Sequence, residues 1–124
     1  MIFSYFLFNL FLYFYLFENS VKTIRFVSLI HAILSSAGGI LYLNNLISQE
    51  TQQNIVNYSK GYIILDLLVY TLSRKLRHEI KITYFHHTLF FIGTQLYNSY
   101  PEIYSYAILS EISTIPLNLR FIYK

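Results

Sequence analysis

Apolar residues gather along the chain in five stretches, 2–17, 26–47, 58–73, 80–97 and 103–123, with most charged residues collected between them. Each stretch is close to the roughly 20 residues (range about 17–25) that an α-helix needs to cross a hydrocarbon core. The pattern predicts an all-α fold, a multi-pass transmembrane bundle of about five helices in one domain over residues 1–124. Several stretches are short, which suits a thin bilayer such as the endoplasmic reticulum, with about 27 Å of hydrocarbon. The first stretch has only Ser4 and Asn9 as polar positions, so it is expected at the edge of the bundle. No Lys or Arg precedes Lys22 and no Ala precedes Ala32, so this stretch lacks the leader and cleavage site of a signal peptide and is expected to be retained. Residues 44–57, with Gln49, Glu50, Thr51, Gln52 and Gln53, show no apolar period and read as a lumenal connector.

Charge supplies an orientation. Only 12% of the 124 residues are charged, against about a quarter in an ordinary soluble domain. If all five stretches span, Lys22, Arg25, Arg74, Lys75, Arg77, Lys81, Arg120 and Lys124 fall on one side, and only Lys60 joins Glu50 and Glu102 on the other. Basic residues favour the cytosolic side, which puts the N-terminus in the lumen and the C-terminus in the cytosol. They form no stripe interleaved with exposed aromatics, so no nucleic-acid partner is expected. The 13 Tyr and 11 Phe read as lipid-facing and packing residues. The absence of cysteine excludes disulfides and thiolate chemistry.

Against this background the ionisable residues inside the stretches stand out: His31, Asp66, His86, His87 and Glu111. Each costs at least a few kcal/mol near a bilayer centre and points to a function. Helical spacing groups them with polar neighbours. Ser28, His31, Ser35, Gly38 and Tyr42 share one face of the second stretch, and Ser59, Tyr62, Asp66 and Ser73 one face of the third. In the fourth, His87 aligns with Thr83, Thr94 and Asn98, whereas His86 aligns with Gly93 and Tyr97. Adjacent residues diverge by about 100°, so one histidine is expected to serve a pocket and the other a helix seam at Gly93. In the fifth, Glu111, Thr114 and Asn118 form a stripe that Pro116 should bend. The economical packing turns all four stripes inward.

Such an inventory suits proton transfer, which needs a histidine, an orienting carboxylate and restricted water. A zinc held by His31, one of the paired histidines, and Asp66 or Glu111 is chemically allowed, but no ligand spacing supports it, so no metal or other cofactor is expected. Four histidines are too few for the clustered boxes of membrane di-iron enzymes.

The order of motifs, Val27-Ser28-Leu29-Ile30-His31-Ala32, Gly61-Tyr62 with Asp66-Leu67, His86-His87, and Glu111-Ile112-Ser113-Thr114-Ile115-Pro116-Leu117-Asn118-Leu119-Arg120, resembles the TLC-domain family. That group of multi-pass membrane proteins includes the Lag-type ceramide synthases and several non-synthase lipid-regulatory proteins. The resemblance covers roughly residues 22–120 and implies a lipid-handling protein of the endoplasmic reticulum. It implies that His86 and His87 match the paired histidines of the synthases, with Asp66 and Glu111 as further catalytic candidates. His31, Ser28, Tyr62, Thr83, Thr114, Asn118 and Arg120 become pocket or lipid-binding candidates. On the helix after the histidine pair, the synthases carry further acidic residues; Glu111-Ile112-Ser113-Thr114 follows the non-synthase pattern instead. The family pattern also continues beyond Arg120, so a second copy or partner helices are expected to complete the fold. Three functional readings follow: binding or sensing of a membrane lipid, acyl transfer from acyl-CoA as co-substrate to a sphingoid or other lipid amine, and a structural protein completed by partners.

Overall fold

The computed structural model describes residues 2–16, 20–72 and 80–123. Among them are the helices α1 (Ile2–Leu16), α2 (Ser20–Leu43), α3 (Gln49–Leu72), α4 (Ile80–Leu96), α5 (Pro101–Ala107) and α6 (Thr114–Ile122), with a 3₁₀ segment (Ile108–Ser113) joining the last two, and there is no strand. Ser73, Arg74, Lys75, Arg77, His78 and Lys124 lie outside the described residues, as does Phe17 at the end of the first stretch.

The turn after α2 is built by local hydrogen bonding. Asn45 adopts a left-handed conformation, φ 57°, which asparagine tolerates better than most residues. The Leu46 amide reaches back to Leu41 O at 2.8 Å and the Asn45 amide to Tyr42 O at 2.9 Å, which satisfies the last carbonyls of α2. Ser48 then caps α3, its hydroxyl accepting from the Thr51 amide at 3.1 Å. The expected connector over 44–57 is therefore wrong: the turn is short, and the polar run from Gln49 is the first two turns of α3. Gln52 and Val56 in this run are fully buried, and Gln52 donates to Ser105 at 3.2 Å. A side chain satisfied by a neighbouring helix reads as loop when only apolar periodicity is counted. α2 likewise begins at Ser20, earlier than the apolar stretch suggests.

The stretch 103–123 is not one helix bent at Pro116. Proline lacks an N–H and its ring crowds the carbonyl four residues earlier, here that of Ile112. The chain meets this constraint ahead of the ring. It tightens to 3₁₀ winding over Ile108–Ser113 and restarts at Thr114, leaving Pro116 in the first turn of α6, where a missing N–H loses nothing.

α2 lies at the centre and packs on α1, α3, α5, the 3₁₀ segment and α6. α3 packs on α1, α2 and α4, so α1 sits to one side, against α3 and α2. Glycine permits two close approaches to a neighbouring helix backbone. A Cβ on Gly61 would lie 2.7 Å from the Phe6 amide nitrogen of α1, and one on Gly39 would lie 2.9 Å from Ser105 O of α5. Asn9 is the polar pin of α1, accepting a 3.0 Å hydrogen bond from the Tyr58 hydroxyl. Parts of the outer surface are apolar: Ile82, Phe85, Leu89, Ile92 and Leu96 form one exposed stripe along α4, and Leu7, Phe8 and Phe11 are exposed on α1. Among the described residues one helix, over Lys22–Leu43, is long and apolar enough to cross a membrane.

Candidate functional site

The polar stripes of four elements meet in one cavity of about 440 Å³, a size typical of ligand pockets. α2 contributes Arg25, Ser28 and His31; α3 contributes Tyr62, Asp66 and Tyr70; α4 contributes Thr83, His86, His87 and Phe90; the 3₁₀ segment and α6 contribute Glu111, Thr114, Leu117 and Phe121. Apart from Phe90, just past the middle of α4, these residues come from the first half of α2 and α4, the second half of α3, and the last segments of the chain. The contacts of α3 with α2 and α4, and of α2 with α6, run in opposite chain directions, so these helices are antiparallel and the cavity lies toward a single end of the bundle, where Lys22, Arg25, Lys81 and Arg120 also lie.

Two histidine and carboxylate pairs line it, both built on adjacent residues of α4. His87 Nδ1 lies 2.9 Å from the Thr83 carbonyl four residues back, and its Nε2 lies 3.2 Å from Asp66 Oδ2. The carbonyl can only accept, so Nδ1 carries a hydrogen. The Nε2 contact then requires one further proton, either on Nε2 facing a carboxylate or on Asp66 facing a neutral imidazole. The pair thus shares a single proton whose position is the variable. Both side chains are buried, at 9% and 6% exposure.

The second pair joins His86 Nε2 to Glu111 Oε1 at 3.1 Å. Here Glu111 is buried and His86 is 53% exposed. The two imidazoles stand edge to face, 5.6 Å apart. Their divergence along α4 is as expected, but its consequence is not the expected one. His86 does not tie a seam at Gly93, where an added Cβ would meet only the Tyr104 ring at an ordinary 3.9 Å. Both histidines line the cavity, and they reach carboxylates on different elements, Asp66 of α3 and Glu111 of the 3₁₀ segment.

His31 forms the floor. Its ring stacks on Tyr62 with centroids 4.1 Å apart and planes at 16°, and its Nε2 bonds the Ser35 hydroxyl at 3.1 Å. Ser35 bonds Ser59 of α3 at the same distance, so the serines of the two stripes join α2 to α3. Asn118 stands behind the wall, fully buried, donating to Ser28 at 2.9 Å. Thr94 is turned to its own helix, donating to Phe91 O at 2.6 Å, and Asn98 is exposed. Arg120 is not a pocket residue: on α6 the positions facing the cavity are Thr114, Leu117 and Phe121, in steps of three and four, and Arg120 is exposed. Arg25, assigned from sequence only to charge topology, lines the cavity with its guanidinium 4.3 Å above the Phe121 ring. Its place one turn before Ser28 on the same helical face was the available signal. Among the described residues no group of three or more His, Asp or Glu side chains converges as metal ligands would.

The chain matches no protein-family model, no curated protein and no solved structure.

Proposed function

We propose that this chain is a multi-pass membrane protein of TLC type, lying in the endoplasmic reticulum with its N-terminus lumenal, whose core helices enclose a pocket for a membrane lipid. The observation that carries this reading is a cluster of buried ionisable groups, His31, Asp66, His87 and Glu111, in a cavity inside a helical bundle whose α1 and α4 expose apolar side chains. In water the exposed stripe on α4 would be a large apolar patch, and a bilayer removes that cost. The 17 residues of α4 extend about 26 Å, close to the thickness of a thin bilayer. The order of the cavity residues along the chain, Ser28, His31, Tyr62, Asp66, His86, His87, Glu111 and Thr114, follows the TLC-like motifs that suggest a lipid as ligand.

A second reading, acyl transfer from acyl-CoA to a lipid amine, is favoured by one observation: the cavity lies at the basic end of the bundle, which the charge pattern assigns to the cytosol. There the His87 and Asp66 pair would take the proton of the attacking amine as its nitrogen bonds the thioester carbonyl carbon, and would pass a proton to the sulfur as the C–S bond breaks and the coenzyme leaves as a thiol. Lipid profiling of cells expressing wild type or His87→Ala, with labelled acyl-CoA added to their membranes, separates the readings. A lipid profile that differs between the two proteins without labelled N-acyl product supports binding or sensing. Labelled product from wild type alone supports acyl transfer, and profiles identical to those of untransfected cells overturn both.

A further inference from the structure

Three sides of the cavity are pinned. α2 and α3 are joined by the His31 and Tyr62 stack and the Ser35 to Ser59 hydrogen bond. α3 and α4 are joined by His87 with Asp66 and by the hydroxyls of Thr71 and Tyr84. α2 and α6 are joined by Asn118 with Ser28 and by Arg25 over Phe121. The fourth side differs: among the described residues α4 packs on α3 and α5 but makes no extended contact with α6 or the 3₁₀ segment. The His86 to Glu111 hydrogen bond crosses this gap, and the half-exposed His86 marks where the cavity meets the outside. The rim of the gap is apolar, with Ile82 at 77%, Leu117 at 49% and Phe121 at 40% exposure, while the interior behind it is polar.

We propose that the gap between α4 and α6 is a lateral portal through which a single-chain amphiphile, an acyl chain with a polar head, passes directly from the bilayer, with His86 and Glu111 as its latch. The inference rests on the membrane reading above and adds the route and the ligand class. A polar head attached to a chain matches a polar interior behind an apolar rim, whereas a water-soluble ligand would cross that rim at a cost. The latch is one hydrogen bond, 3.1 Å long and half exposed, which thermal motion opens readily.

The test uses the full chain reconstituted in phosphatidylcholine vesicles containing a fatty acid that carries a diazirine and an alkyne. After illumination, labelled residues are mapped by mass spectrometry. In wild type, label is expected inside the cavity on Phe90 and Tyr62, and on the outward-facing Leu89 and Ile92. Ile82→Trp with Leu117→Trp, both at exposed rim positions, should lower cavity labelling about tenfold, the factor that corresponds to roughly 1.4 kcal/mol. Labelling of Leu89 and Ile92 should stay unchanged, which shows that the variant is folded and inserted. Cavity labelling unaffected by the tryptophans, or confined to outward positions in wild type, overturns the portal while leaving the membrane reading intact. Absence of label at Leu89 and Ile92 in wild type overturns the membrane reading itself.

Discussion

Replacing Asp66 by Asn or by Ala separates two roles of the same side chain. His87 Nδ1 is committed to Thr83 O at 2.9 Å, so Nε2 must be satisfied by whatever stands at position 66. In Asp66→Asn the amide can donate to Nε2 from near the wild-type 3.2 Å, and the volume is unchanged. Stability should therefore stay within about 1 kcal/mol of wild type. Asp66→Ala leaves a buried imidazole nitrogen without its partner, which costs roughly 1–3 kcal/mol, with a further cost for the space left behind. Unfolding by SDS titration in mixed micelles, followed by tyrosine fluorescence, measures both. The lipid phenotype should rank differently: an amide keeps its hydrogens, so Asp66→Asn cannot hand over the shared proton and should be as silent as Asp66→Ala if proton transfer is the site's work. Equal destabilisation by the two substitutions would refute the hydrogen-bond argument. An active Asp66→Asn would refute the mobile proton and leave simple lipid binding.

The remaining expectations use the same structure. Gly61→Ala should destabilise by about 1–3 kcal/mol, because its Cβ would meet the α1 backbone at 2.7 Å, whereas Gly93→Ala, with 3.9 Å to a ring edge, should stabilise α4 by up to about 1 kcal/mol; the same SDS titration reads both. Ser48→Ala removes the cap of α3 and should cost about 1 kcal/mol, seen as a lower unfolding midpoint. The chain has no cysteine, so single-cysteine variants are clean topology probes. In intact microsomes an impermeant maleimide should label Lys81→Cys but not Leu46→Cys until the membrane is permeabilised, and the reverse pattern would overturn the orientation.

Much of the cavity is legible in the sequence because helical spacing is a strong geometric constraint. Once Ser28, His31 and Ser35 lie on one stripe and Tyr62 and Asp66 on another, helices that bury their polar faces bring them together. Arg120 and Arg25 show where this reasoning stops. Both are basic residues near segment ends, where charge topology explains them equally well, and only the azimuth of each helix decides which one turns inward. For Arg120 that azimuth depends on the 3₁₀ segment, whose tighter winding changes where Glu111 and the residues after it point. Pro116 signals an irregularity but not its register. The start of α3 was hidden for another reason: Gln52 is buried yet polar, and its partner, Ser105, lies 53 residues away in sequence.

The adjacent histidines illustrate a related point, and they lead to a last prediction. Side chains diverging by about 100° address one cavity only if it is wide enough to be flanked by different elements, and here Asp66 of α3 and Glu111 of the 3₁₀ segment supply the two flanks. The pairs differ in exposure, 9% for the His87 side chain against 53% for His86, so their substitution should have different kinetic signatures. His87→Ala removes the enclosed pair and should abolish the lipid effect at every probe concentration. His86→Ala removes the latch, leaves the shared proton of His87 and Asp66 in place, and should change how fast the cavity fills and empties. Time-resolved photolabelling of Phe90 with the diazirine fatty acid measures that rate. Faster labelling in His86→Ala, with the lipid effect of wild type retained, is expected. Loss of the lipid effect in both variants to the same degree would mean that the two pairs act as one site.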